Sequence, residues 1–211
     1  MSSFRNKMNK TEFKNYFISD KIFSLKSIRK SMPNFSYRQI DRWEKDSFLL
    51  KVKKGFYMFS DQNLNKLFLF FVANKIYSPS YISLETAFKF YGLIPEENFQ
   101  IVSISSRKTT KLDNVLGFFS YHQVKPQLFF GYRILEGEEK VLMAEIEKAI
   151  LDYLYLHSEL KTEDDFKGMR INKDSFLKNV NFEKLQKYLN LFNNKALEKR
   201  VSVFLKTIKN D

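Results

Sequence analysis

Apolar residues recur at helical spacing in short blocks over the first sixty positions. Phe13, Tyr16 and Phe17 are the apolar residues of a helix over about Lys10–Phe17, and Leu25, Ile28 and Met32 mark the inner face of a second that begins near Ser24. Pro33 and Asn34 then break the chain. A third helix is predicted from Ser36, with Ile40 and Trp43 on its inner face and Arg38, Gln39, Arg42 and Lys45 outside. Ser36 as cap with Gln39 three residues later predicts a capping box, and Phe35 with Ile40 a hydrophobic staple. The stretch LLKVKKGFYMF follows at once. It alternates as a hairpin, with Leu50 and Val52 on one side, Lys51 and Lys53 on the other, and Gly55 at the turn.

Helix, helix, break, helix and basic hairpin is the order of a winged helix-turn-helix module, in which the third helix reads DNA and the hairpin is the wing. Asp61, Gln62 and Asn63 mark an exposed seam, which predicts a winged-helix domain over 1–60 and a second domain over 61–211. Beyond the seam, Leu64, Leu67, Phe68, Phe71 and Val72 predict a helix over Asn63–Ile76. SLETAFKFYG reads as another, with Ser83 as its cap and Gly92 as its stop. Phe99–Ser105, Phe118–Tyr121, Leu128–Tyr132 and Val141–Met143 have strand character. Glu145–His157 and two segments near Phe182–Phe192 and Lys195–Lys206 are amphipathic helices. The fold class expected is α+β, with the N-terminal winged helix followed by a mixed α+β C-terminal domain.

Charge sharpens this division. The net charge is +12, with 44% hydrophobic and 17% aromatic residues, a composition that excludes a disordered chain. Residues 1–60 carry 14 Lys/Arg against 5 Asp/Glu, residues 61–160 carry 10 against 12, and residues 161–211 carry 12 against 7. A basic N-terminal block is the electrostatic footprint of a phosphate-backbone binder. A Lys-, Asn- and Phe-rich composition also follows from an AT-rich genome, which explains the total but not the asymmetry. The absence of cysteine excludes disulfides and thiolate metal sites and suits a reducing cytoplasm. No apolar secretory segment opens the chain, and the run Leu67–Ala73 is far short of the roughly 20 residues that span a bilayer. A cytoplasmic protein without a membrane partner is expected.

Catalytic patterns are missing. His122 and His157 have no His or Cys at ligand spacing, and no phosphate-cradling glycine loop or GxSxG is present. Glu163, Asp164 and Asp165 read as a solvated turn, and Glu145 and Glu147 as carboxylates favouring a helix start. The expectation is no enzyme, no metal and no cofactor. Arg107-Lys108-Thr109-Thr110-Lys111 is a basic, hydroxyl-rich loop suited to phosphate or to plain solvation.

Four phrases resemble the AbiEi family of antitoxins: GFYMF (Gly55–Phe59), YISLETAFKFYGLIPE (Tyr81–Glu96), FFGYR (Phe129–Arg133) and AEIEKAILDYLYL (Ala144–Leu156). Each is mainly a packing pattern; their order and spacing from the hairpin to residue 156 make the resemblance specific. It implies a winged-helix autorepressor that binds inverted repeats in its own promoter. It also implies an antitoxin of a type IV toxin–antitoxin, phage abortive-infection system, counteracting a nucleotidyltransferase toxin without a stable complex.

The expected DNA contacts are Arg38, Gln39 and Arg42 in the major groove, where Arg matches guanine and Gln adenine, with Tyr37 and Lys45 beside them. Lys51, Lys53 and Lys54 track phosphates or reach the minor groove. Ser36 and the helix N-terminus hold another. Arg107, Lys108 and Lys111 form a second tier. The partner is double-stranded DNA, bound by a monomer or homodimer. The rivals are a transcriptional regulator without a toxin partner and a nuclease whose carboxylates converge only in three dimensions.

Overall fold

The computed structural model describes residues 8–95 and 100–210. Helix α1 (Lys10–Phe17) starts at Asn9, whose side chain accepts the Glu12 N–H at 2.8 Å while Glu12 Oε2 accepts the Asn9 N–H at 3.1 Å. Phe13 on this helix is the hub of a ring cluster: Phe17, Phe23, Phe35 and Trp43 lie 4.8–5.4 Å from it between centroids. Tilted and edge-on ring pairs of this kind add about 0.5–1.5 kcal/mol each beyond the area they bury. Tyr16, the third apolar residue of this helix, is exposed. Strand β1 (Ile22–Ser24), too short for its alternation to show in the sequence, leads into helix α2 (Leu25–Ser31), capped by Ser24 and Ser27.

Helix α3 spans Arg38–Lys45, and the predicted capping box does not form: Tyr37 occupies the cap position and no side chain caps it. Instead Ser36 and Tyr37 carbonyls accept the Gln39 and Ile40 N–H groups at 2.9 and 3.0 Å. Phe35 and Ile40 are both buried in the ring cluster, as a staple requires. Strands β2 (Leu49–Lys53) and β3 (Phe56–Phe59) complete a three-stranded antiparallel sheet in the order β1-β3-β2, with Gly55 in the turn at φ +82°. A positive φ there suits a residue without Cβ.

This sheet has two apolar faces. Phe23, Leu49, Tyr57 and Phe59 face the ring cluster, while Ile22, Val52 and Met58 belong to the larger core built by the rest of the chain. The seam expected at Asp61 is therefore a change of layer, with the small sheet as a shared wall. Lys14 on α1 pairs with Asp61 across that seam.

The larger body is a mixed six-stranded sheet in the order β6-β7-β5-β4-β9-β8. Its strands are β4 (Ser80–Ile82), β5 (Gln100–Ser105), β6 (Thr110–Asn114), β7 (Gly117–Gln123), β8 (Tyr132–Leu135) and β9 (Val141–Ala144). Helix α4 (Lys66–Ile76) covers one face, where the Tyr121 hydroxyl donates to the Ala73 carbonyl at 2.8 Å. Helices α5 (Leu84–Phe90) and α6 (Ile146–Leu156) pack together on the other. Helices α7 (Glu163–Lys167), α8 (Lys173–Asn179), α9 (Phe182–Phe192) and α10 (Lys195–Asn210) close the core.

Several expectations change here. The segment expected as a strand over Leu128–Tyr132 is a 3₁₀ turn at Pro126–Leu128, and β8 begins only at Tyr132. The acidic run at 163–165, expected as a solvated turn, is the solvent-facing first turn of α7: Thr162 and Asp165 form a capping box, and the carboxylates lie at the positive end of the helix. Thr110 and Lys111 open strand β6 rather than ending a loop. Phe99, expected to begin β5, lies outside the described residues. Among the described residues no helix is long and apolar enough to cross a membrane.

Candidate nucleic-acid interface

Helix α3 is amphipathic because Gln39, Ile40 and Trp43 turn inward, and this fixes what it shows to solvent. Arg38, Arg42 and Lys45 are exposed, and none of them has an ion pair among the described residues. Asp41 is exposed on the same helix and reduces its positive field. Gln39 does not stand with the arginines. It is 4% exposed, and its Nε2 donates to the Met8 carbonyl at 2.7 Å while Oε1 has no partner. Its amide tethers the chain before α1, so it cannot reach a base edge. The N-terminus of α3 is also less open to phosphate than expected, because the Gln39 and Ile40 N–H groups are already spent on Ser36 and Tyr37 carbonyls. Ser36 is half-buried ahead of the helix.

Helix α2 adds cations that the sequence reading left aside. Lys26, Arg29 and Lys30 are exposed. Arg29 lies 5.5 Å from the centre of the Tyr37 ring, and its Nε donates to the Tyr37 hydroxyl at 3.3 Å, drawing α2 toward the entry of α3. The run of basic residues in the last turn of α2 was the available signal.

The hairpin divides its lysines. Lys51 pairs across the sheet with Tyr57, and Lys51 and Lys54 are exposed. A register shift between Lys51 and Lys53 sets Lys53 opposite Phe56 and turns it toward the larger body. There its Nζ donates to the Ile76 carbonyl at 2.9 Å and lies 4.9 Å from the Tyr77 ring centre. Burial lowers its pKa from the usual lysine value, and the nearby Arg107 charge lowers it further. Lys53 is thus fastened inward, not presented with Lys51.

The second tier converges on the same spot. Arg107 lies 4.5 Å from the Tyr77 ring centre and donates to the Ser78 carbonyl at 3.1 Å. The Lys108 carbonyl accepts the Tyr77 hydroxyl at 2.6 Å, which leaves the exposed Lys108 ammonium outward. Lys111 is exposed on the edge strand β6. Further along β6, Asn114 Nδ2 donates to the Val52 carbonyl at 2.8 Å, so the hairpin abuts this edge. Part of the N-terminal positive charge is neutralised elsewhere: Lys10 pairs with Asp46 at 2.9 Å, and Lys21 with Glu138 and Glu139 at 3.0 and 2.6 Å.

The larger body hides a constellation that the sequence reading did not single out. Lys148 and Asp152, one turn apart on α6, are both 0% exposed and form an ion pair. Tyr81 and Ser83 hydroxyls donate to Asp152 Oδ2 at 3.0 and 2.9 Å, and Lys148 Nζ donates to the Tyr81 oxygen at 2.8 Å. Burial pulls Lys148 down and Asp152 up, toward their neutral forms; their mutual attraction opposes both shifts. Two hydroxyls donating to one carboxylate oxygen fit the ionised acid. Ser83 sits at the N-cap position of α5 as expected, but its hydroxyl serves this network and makes no capping bond to the helix. Opposite charges four residues apart in a helix apolar on every side were the legible signal. Glu147 likewise does more than favour the start of α6: its buried Oε1 accepts the Asn181 N–H at 2.8 Å and anchors the entry to α9.

The chain matches no protein-family model and no curated protein.

Proposed function

We propose that the chain is a sequence-specific DNA-binding repressor that also serves as the antitoxin of a type IV toxin–antitoxin pair. The observation that carries the DNA reading is the outward set Arg38, Arg42 and Lys45 on α3, a helix whose other side is locked into the ring cluster. The order α1, β1, α2, α3, β2, β3 with sheet order β1-β3-β2 supports a winged helix, with α3 as the reading element. In this reading Arg38 and Arg42 reach base edges in the major groove, and Lys45, Lys51 and Lys54 contact phosphates. Gln39 and Lys53 leave the set of contacts, and Arg29 and Lys30 of α2 join it.

The antitoxin half rests on the resemblance to AbiEi. Two of its phrases, YISLETAFKFYGLIPE and AEIEKAILDYLYL, contain the four members of the buried network: Tyr81, Ser83, Lys148 and Asp152. That gives the phrases a physical reason to recur together, as one orienting core.

Both halves are testable with the full-length protein. Titration of its own promoter fragment against an unrelated fragment of equal length is expected to show a specificity ratio that falls in Arg42→Ala. Equal affinity for the two fragments overturns the DNA reading. Co-expression with a neighbouring nucleotidyltransferase gene is expected to restore growth; failure to do so leaves a regulator without a toxin partner.

A further inference from the structure

Strand β8 ends the six-stranded sheet and pairs on one side only, with β9. The alternation of an antiparallel ladder fixes which of its backbone groups are left over. The Gly131 carbonyl accepts the Glu145 N–H at 2.9 Å, so residues 131, 133 and 135 are the ones that turn their backbone groups toward β9. The pairs between them are open on the β9 side too: the Leu142 N–H goes to Asn74 Oδ1 and the Ala144 carbonyl accepts the Tyr91 hydroxyl, each at 2.7 Å. Tyr132 and Ile134, opposite Ala144 and Leu142, therefore turn N–H and C=O away from the sheet. Neither has another backbone partner among the described residues. Their side chains share one face and are 37% and 52% exposed. Tyr132 is held in place by stacking on Tyr81, 5.0 Å between ring centres. Arg133, the one charged residue of β8, points to the other face, 5.7 Å from the Tyr91 ring centre. The far edge of the sheet is better guarded: Lys111 and Asp113 are exposed along β6, and its Asn114 meets the hairpin.

We propose that β8 is a dimerisation edge, on which a second copy of this chain lays its own β8 antiparallel to make one continuous sheet across the two copies. An open edge accepts an extended strand, and the register selects this one. Tyr132 and Ile134 must meet residues whose backbone groups also face outward, which leaves few registers. Pairing centred on Ile134 sets Ile134 against Ile134, Tyr132 against Glu136, and Arg133 against Leu135 of the other copy. The Tyr132 hydroxyl, without a partner of its own among the described residues, then donates to the exposed Glu136 carboxylate, once on each side of the axis. Pairing centred on Arg133 sets two guanidinium groups opposite each other, which is unfavourable. Pairing centred on Leu135 sets Ile134 against Glu136 and loses the apolar match. Because the hairpin meets β6, the sheet extends at β8 alone and the pairing closes at two copies. The edge belongs to the larger body, so the proposal does not rest on the DNA reading.

The test is sedimentation velocity of the full-length protein over a concentration series. The weight-average mass is expected to rise from the 25.3 kDa monomer toward twice that value. Ile134→Lys puts two ammonium groups opposite each other at the axis and should raise the dissociation midpoint roughly tenfold. Ile134→Pro removes an outward N–H that β9 does not use and should raise it comparably. Leu191→Lys, at a similarly exposed leucine of α9, should leave it unchanged. A mass that stays monomeric at every concentration overturns the proposal, whatever other strand the edge accepts. So does a dimer unchanged in both Ile134 variants when their circular dichroism matches the parent. Growth of the mass past two copies overturns the closure. The register has its own readout, because the chain has no cysteine. Mild oxidation should link Ile134→Cys between copies, and Arg133→Cys far more slowly, since position 133 does not face itself. Equal rates overturn the register centred on Ile134.

Discussion

The ring-lined core of the first sixty residues and the larger core beneath the six-stranded sheet treat charge in opposite ways. Among the described residues the small core takes in no charged side chain, Arg38, Arg42, Lys45, Lys51 and Lys54 stand at the surface, and Gln39 is its one fully buried polar side chain. The large core takes in Lys148, Asp152 and Glu147. A cation on the surface keeps its hydration and stays available to an outside anion. One buried with a carboxylate has spent its interaction internally, where Lys148 and Asp152 of α6 hold Tyr81 of β4. The same residue type thus points to a ligand in one body and to architecture in the other.

The sharpest way to break this contrast is to empty each core. Phe13→Ala removes the ring hub and is expected to cost roughly 4 kcal/mol, the mid-range for truncating a buried aromatic, measured by urea denaturation. Because Ile22, Val52 and Met58 join the larger core, the loss should appear in a single cooperative transition. Two separated transitions would show that the shared wall does not couple the bodies.

Asp152→Ala leaves Lys148 buried without its counter-ion and should cost about 3 kcal/mol. The double replacement Lys148→Met with Asp152→Leu should recover most of that loss. Failure of the double variant to recover would mean that the pair stabilises by more than mutual satisfaction.

On the charged surface the effects move from stability to binding. Arg42→Ala should weaken promoter binding by about 1–3 kcal/mol and relax one base preference, with the urea midpoint unchanged. Lys51→Ala should weaken all DNA binding alike and reduce the salt slope by about 0.9; Lys53→Met should leave that slope unaltered, because Lys53 faces Ile76 and Tyr77. A slope change in Lys53→Met equal to that in Lys51→Ala would erase the distinction drawn between them. The smallest effect is expected for Gln39→Met: a stability change within about 1 kcal/mol and no change in promoter affinity, since the side chain is inside.

Much of this was legible along the chain wherever a long, periodic segment had to bury one face. Helices α1 and α9 end where their apolar spacing ends, and α3 and the hairpin follow from Ile40, Trp43, Leu50 and Val52. Short elements escaped. Strands β1 and β4 have three residues each, all or mostly buried, so period two had nothing to display. Gln39 was misplaced because its spacing allowed a capping box and only the approach of Met8 gave its amide a better partner. Lys53 was misplaced because a one-residue register shift reverses a side chain without leaving a mark in the residue order.

The sequence by itself determined which segments must be amphipathic, where charge accumulates, and the order helix, helix, helix, hairpin, because these depend on local periodicity and composition. Only the tertiary structure decided which lysines face outward, that the hairpin leans on β6, and that Lys148, Asp152, Tyr81 and Ser83 meet. Those outcomes depend on partners up to 71 residues away, and what a charged or amide side chain does is set by the partner it finds.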